Sequence, residues 1–449
     1  MTREEVVVIG AGAAGLAAAR AVSDAGRRVV VLEARDRLGG RIWTQHLPGF
    51  APPIELGAEF VHGTSDAVWR LVDAAQLRVC DAIEEHLALH DGRLGERDLF
   101  SGEIGEVLAA LDDWREQPAR PDESFEQLLR DRFSAERFAE ARTLARNYVE
   151  GFHAAVSERV SVRALGVAED DASGNEQAFR IVDGWGAVVD WLARGAGAPL
   201  DVRLRTVVHR VEWSDAGVRV TARGPRAEES FDARACIVTL PLGVLAASVL
   251  GAVDDGAVVF EPPLDARRDA IAGMQPGDVA RFVLRFRSRF WERGLPSMPE
   301  GRDPSELAFM HAPDQPVPVW WTQRALRAPV LVGWCGGPAA AALLARPEAD
   351  RTEAALASLG HLFGTGPSLL REQLVSVHHH DWTHDPYSRG AYSFVRVGAV
   401  HAPATIAAPL AGTLFFAGEH TQADGGWASV HGALASGTRA AREALDALG

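Results

Sequence analysis

The sequence predicts an α/β protein of two interleaved parts, one built on a parallel sheet and one, of α+β character, on a mixed sheet with helices. Three observations predict it. The chain opens on a βαβ pattern whose Val and Ile runs are too continuous for strands wetted on one face. From about Asp81 to Pro199 the sequence turns charged and helix-like, and β character returns only at Leu200–Trp213. An apolar strand, an irregular loop and a long helix then close the chain from Thr413 to Leu445. At 449 residues the chain exceeds what a single core usually supports.

The opening unit runs strand, glycine turn, helix, turn and second strand. Gly10, Gly12 and Gly15 form a G-x-G-x-x-G between strand and helix. The first permits the turn, the second lets backbone approach a pyrophosphate, and the third allows close helix packing. The helix from Ala13 to Asp24 is rich in Ala and stops at Gly26, and its N-terminus offers N–H donors and a positive dipole end to phosphates. Glu33 ends the second strand, where a carboxylate accepts hydrogen bonds from ribose hydroxyls. These features predict a Rossmann-type dinucleotide-binding domain. The glycines alone do not separate a nicotinamide from a flavin dinucleotide. Arg35, Gly39, Gly40 and Arg41 follow as R-x-x-x-G-G-R, giving a second close backbone approach and a phosphate-pairing arginine. That suits the longer flavin ligand.

Further along, Ser124 to Phe152 has amphipathic helical spacing that ends near Gly151. Buried-strand character marks Ala235–Leu242, stopped at Pro241, then Val279–Phe286 and Pro329–Cys335, with a helix near Thr352–Phe363.

Seven stretches, in order, resemble the flavin amine oxidase family of monoamine oxidases, polyamine oxidases and lysine-specific histone demethylases. They are "VVVIGAGAAGLAAA", "VLEARDRLGGRIWT", "IELGAEFVHG", "CIVTLPLGVL", "RFVLRFRSRFW", "WTHDPYSRGAYS" and "LFFAGEHT" with "VHGALASG". The third is closest in form to polyamine oxidases. The resemblance implies a FAD-binding domain from residues 1–80, 200–248 and 385–449, and a substrate-binding domain from 81–199 and 249–384. It implies a cofactor set of Gly10, Gly12, Ala14, Gly15, Glu33, Ala34, Arg35, Gly39, Gly40, Arg41, Gly57, Ala58, Glu59, Val208, Trp382, Gly418, Glu419, Ser429 and Val430. Within that set Val208 would offer a backbone N–H to the adenine and Val430 one to the flavin's pyrimidine edge.

Trp382 and Tyr392 would flank the substrate amine as aromatic walls. Ala391 stands where monoamine oxidases carry the cysteine that binds flavin covalently, so FAD is expected to be non-covalent. A second cage tyrosine of those enzymes falls on Ser429. His62 resembles a polyamine-oxidase histidine that holds substrate nitrogen, and Glu59, Asp170 and Asp171 would suit a cationic chain. The family lysine that holds a water against flavin N5 falls, counting back from Phe290 and Trp291, on Arg281. Arginine keeps the charge but is bulkier and does not lose its proton. The expected reaction is oxidation of an amine, with a polyamine or acetylated polyamine as substrate and dioxygen yielding hydrogen peroxide. An amino-acid oxidase or other flavin oxidoreductase, and a flavin-binding scaffold without turnover, stand as alternatives.

Composition narrows the partners. With 46 basic and 61 acidic residues and a net charge of −15, nucleic acid is disfavoured. All the basic residues are arginine, so Schiff-base and lysine-base chemistry are excluded. Cys80, Cys236 and Cys335 are widely spaced and suggest neither disulfide nor zinc. In the run "HHHDWTH", His378 to His384, His378 and His380 share a strand face, an incomplete ligand set, so no metal is expected. Without a signal sequence or an apolar run of about 18 residues, a cytoplasmic monomer or homodimer is expected.

Overall fold

A computed structural model describes residues 4–82, 85–96, 102–117, 119–173, 177–252, 254–299 and 301–449. Strand β1 (Glu4–Ile9) lies inside an eight-stranded sheet among the described residues, parallel to β2 (Val29–Leu32) and to Glu228–Val238. Val6, Val7 and Val8 have no exposed surface, which is why their apolar run does not alternate. Asp201–Arg203 extends the sheet parallel to β2. On the other side Gly217–Arg223 and Val207–Ser214 continue antiparallel, and Leu414–Phe416 pairs parallel with Cys236–Val238. Three remote segments therefore share one sheet.

Helix α1 (Ala13–Asp24) and the closing helix (Val430–Leu448) pack together on one face of this sheet. Their backbones nearly touch: a Cβ at Gly437 would lie 2.2 Å from the Ala14 carbonyl oxygen. Gly15 plays the packing role its motif position predicts, with a Cβ there falling 1.9 Å from the Gly10 carbonyl oxygen.

A second, seven-stranded sheet among the described residues contains Val279–Phe286 between Leu374–His378 and Val330–Gly336, followed by Val319–Thr322 and Phe309–His311. Its buried face carries Phe282, Phe286 and Trp320, and Trp291 of the turn at Phe290–Arg293 packs into the same cluster. A three-stranded sheet joins Phe60–His62 and Val79–Ala82 through Ala178–Ile181.

Sheet membership departs from the expected boundaries at two places. Val259–Glu261 pairs with Val207–Ser214, so the first sheet reaches past residue 248. Helix Gly186–Arg194 packs its Val188, Val189 and Leu192 into the same cluster as Leu16, so residues before 200 also join that body. Arg20 ties it there by donating to the Leu192, Ala193 and Ala198 carbonyls at that helix's end. The single amphipathic stretch expected over 124–152 is two helices, Phe125–Arg132 and Ala139–Phe152, separated by a short 3-10 turn at Glu136–Phe138.

Gly437→Ala should overpack the α1 contact at a cost of about 1–3 kcal/mol and lower the thermal midpoint. A variant melting with the wild type would show that the two helices do not need this approach.

Candidate active site

The glycine loop gathers the first set of groups. Gly10, with φ +101°, turns the chain from β1 towards α1, whose N-cap is Gly12 with no side-chain cap. The first-turn N–H donors of α1 therefore face the loop without a side-chain partner. Gly12 bridges to Gly39, and a Cβ at Gly40 would lie 3.3 Å from the Gly12 Cα, so the two glycine motifs meet backbone to backbone. The Glu33 carboxylate is buried and accepts from the Ala11 N–H (2.7 Å) and the Arg35 N–H (2.9 Å). Ala34 lies in the same turn. The Thr206 N–H donates to the Glu33 carbonyl at 2.8 Å, drawing in the strand that carries buried Val208 beside a β-bulge. An uncapped helix end, two close glycine approaches and an oriented carboxylate fit the pyrophosphate and ribose of a dinucleotide.

Arg41 links this loop to the end of the chain. Its guanidinium donates to Glu419 Oε1 at 3.0 Å and to the Ala391 carbonyl. The other Glu419 oxygen accepts from Ser393 Oγ (2.7 Å) and the Ala428 N–H (3.0 Å). Burial pushes the Glu419 carboxyl up, but Arg41 and then His420 outweigh it and hold it below its ordinary value. Gly57 packs its backbone on the Arg41 carbonyl. Ala58 and Val430 pack on the α1 side of the core. The Gly418 N–H is anchored to Ser436 Oγ at 3.0 Å. Ser429 caps the closing helix, accepting from the Gly432 N–H and donating to the Gly426 carbonyl. The Arg35 guanidinium binds Asp385 (2.7 Å) and Ser388 (2.8 Å), tying down the 385–388 loop.

Aromatic rings form the second set. Trp382 is buried, donates to the Leu56 carbonyl at 3.0 Å and packs edge-on against His380 and Trp43. Tyr392 stacks on Trp334, with centroids 6.4 Å apart at 11°. The Tyr392 hydroxyl donates to the Phe152 carbonyl (2.6 Å) and Trp334 Nε1 to the Gly151 carbonyl (2.9 Å). The unpaired carbonyls at the end of helix Ala139–Phe152 thus position both rings. Burial pushes the Tyr392 phenol up, so it stays protonated. His62 is exposed at the end of its strand, with its ring edge-on to Phe152 at 6.2 Å. Burial, and then neighbouring His431, lower its pKa to about 4, so the ring is neutral at pH 7.

The sequence of one family, described as flavin containing amine oxidoreductase, matches this chain over residues 13–445. The chain belongs to that family. Among curated relatives, polyamine oxidase 4 of Oryza sativa subsp. japonica is 29% identical, across 98% of this chain and 88% of the relative. Lysine-specific histone demethylase 2 of Homo sapiens is 28% identical across 93% of this chain, which spans only 50% of that longer protein. Among solved structures, putrescine oxidase bound to putrescine superposes with a TM-score of 0.80 at 23% identity, covering 99% of both chains. Cyclohexylamine oxidase from Brevibacterium oxydans gives 0.78 at 24%, again over 99% of both. These likenesses agree with the fold: a flavin amine oxidoreductase built on a Rossmann-type domain and a mixed-sheet substrate part.

In this family member the acid expected to face a cationic substrate is enclosed. Glu59 is 6% exposed and accepts from Arg180 Nε (2.8 Å), from the Arg281 guanidinium and from Trp321 Nε1 (3.1 Å). Burial pushes its carboxyl up, but Arg281 and Arg180 outweigh it and hold it down at about 2. Arg281 is likewise buried, and its Nε donates to the Glu55 carbonyl at 2.8 Å. The structure therefore gives Glu59 two arginines where a substrate ammonium was expected. The side chains of Asp170 and Asp171 lie outside the described residues. The histidine run is dispersed: His378 meets Ser376 and Gln45, His379 the Arg281 carbonyl, and His380 Asp385.

Sequence reasoning missed Glu55, Arg180, Trp321 and Trp334. The signal for Glu55 was present, an acid inside the apolar run "PIELGA", four residues before Glu59. Its carboxylate accepts from Thr44 Oγ1 and the Trp185 N–H (2.7 Å), and burial raises its pKa to about 7. Arg180, within "AFRI", carried a weaker one, a cation on a buried strand.

Glu59→Ala should leave two buried guanidiniums uncompensated and cost about 3–5 kcal/mol in a denaturant titration; wild-type stability would break the enclosed-pair account. Glu55 makes a pH prediction of opposite kind. Its folded pKa of about 7 lies above its ordinary 4.5, so its contribution is fully present at low pH and is lost as pH rises through about 7. Glu55→Gln should therefore gain in thermal midpoint over the wild type between about pH 5 and 8, and a constant difference across that range would refute the shift.

Proposed function

We propose that the protein is an amine oxidase that binds FAD non-covalently and converts an amine to an imine, which water hydrolyses to a carbonyl compound and a smaller amine. The observation that carries this is the Arg41–Glu419 junction, which sets the dinucleotide loop directly beside the loop bearing Ala391 and Tyr392. When bound, FAD supplies the acceptor for a hydride from the amine's α-carbon and returns the electrons to dioxygen as hydrogen peroxide.

The chain's own residues position and desolvate. The first turn of α1 and Glu33 hold the phosphate and ribose end. No cysteine occurs between Asp381 and Val395, which supports non-covalent attachment. Tyr392 and Trp334 form a fixed aromatic wall that excludes water from the reacting amine. Neither Tyr392, which stays protonated, nor Arg281, which keeps its proton, serves as a base. Arg281 acts as a positioning residue, holding Glu59 and the Glu55 backbone and so the segment that ends at His62. His62 is neutral across the working range and adds no titration there. The amine must therefore arrive deprotonated by its own equilibrium. The relatives' names include a polyamine, a putrescine and a cyclohexylamine oxidase, so likeness alone leaves both polyamines and monoamines open.

Mixed anaerobically with amines, the yellow holoprotein should lose its flavin absorbance at a rate that climbs with pH towards the pKa of the amine. Bleaching by leucine alone, or by no member of a panel of mono-, di- and polyamines, would overturn the assignment.

A further inference from the structure

We infer that the cleft selects a monoamine with an apolar or aromatic body and discriminates against diamines and polyamines that carry a second ammonium. The inference rests on the amine-oxidase reading and adds its substrate class. Phe60, His62 and Phe152 form a chain of ring contacts, and the Phe152 and Gly151 carbonyls hold Tyr392 and Trp334 beside it. Phe152 is 49% exposed although it lies within a ring cluster, stacked on Tyr148 at 5.4 Å and facing His62. These side chains offer apolar surface to an alkyl or aryl group.

A second ammonium leaving water needs a carboxylate, and the one in the segment that ends at His62 is already taken. Glu59 already holds two arginines. Arg180 and Arg281 together carry two positive charges, Glu59 one negative and Glu55 at most one, so the group of four is never net negative. Glu150, on the last turn of the helix that ends at Phe152, turns towards the Ser157 N–H instead.

Aromatic faces are a second way to hold a cation, and two of them already carry a guanidinium. The Arg180 guanidinium lies 4.6 Å from the Phe60 ring and that of Arg281 5.3 Å from the Trp321 ring. Trp334 and Tyr392 face each other. The carbonyls of Gly151 and Phe152, which would accept from an ammonium, take their hydrogen bonds from Trp334 and Tyr392. The charge of −15 belongs largely to the exterior, where salt screens it within about 8 Å; it draws cations in general without recognising a second one inside.

The test compares substrates of equal length on the holoenzyme. Anaerobic flavin bleaching is followed with hexylamine against 1,6-diaminohexane, and with benzylamine against spermidine, corrected for the number of amino groups. Hexylamine should exceed the diamine in rate per concentration at least about tenfold. A diamine or spermidine that equals or beats its monoamine overturns this inference and leaves amine oxidation standing; bleaching by none of the four overturns both. His62→Glu, which adds a carboxylate to the wall, should move the ratio towards the diamine by about tenfold or more. Phe152→Glu serves the same purpose if the first variant loses its flavin, and a ratio unmoved in a yellow variant contradicts the charge argument.

Discussion

The ion pair between Arg41 and Glu419 is the constraint on which the site depends. It joins residues 378 apart in sequence, and Glu419 is almost wholly enclosed. An enclosed carboxylate is tolerated only when its lone pairs are met, and Arg41, Ser393 and the Ala428 N–H meet them. Each of those partners comes from a different segment. Satisfying one carboxylate therefore fixes the glycine-rich loop, the 391–393 turn and the approach to the closing helix at once. The approach of Gly437 to Ala14 and the crossing of Gly57 over Arg41 complete the lock through backbone contact.

A second enclosed carboxylate organises the substrate side by the same physics. Glu59 is drawn into the protein by Arg180 and Arg281, and in being satisfied it ceases to be a ligand for anything outside. Buried pairs of this kind contribute little net stability, because desolvation offsets most of the attraction. What they confer is a defined arrangement: guanidinium groups with several donors each hold Glu59, the Glu55 carbonyl and two aromatic faces together. With arginine as its sole strong base, the chain has cations that hold geometry and do not exchange protons.

Much of the architecture was legible in the residues. The uninterrupted Val6–Ile9 run, the three glycines and Glu33 specify a strand, a tight turn and an oriented carboxylate through local geometry, because each requirement acts within a few residues. Val279–Phe286 likewise reads as a strand and is one over the same span. Periodicity was less informative where short-range breaks intervene, as at Glu136–Phe138, or where an element's partner is distant, as for Gly186–Arg194 packed on α1.

The sequence by itself determined which side chains carry charge, which glycines admit a close approach, and that a glycine-rich loop precedes an aromatic one. Only the tertiary structure decided how those charges are spent. Glu59 looked available for a cation, and Arg41 for a phosphate, until long-range packing gave each a partner of its own. The reason is that a charged group's role follows from the free energy of its final surroundings. Those surroundings are supplied by residues such as Arg180 and Glu419, which are remote along the chain and become neighbours only on folding.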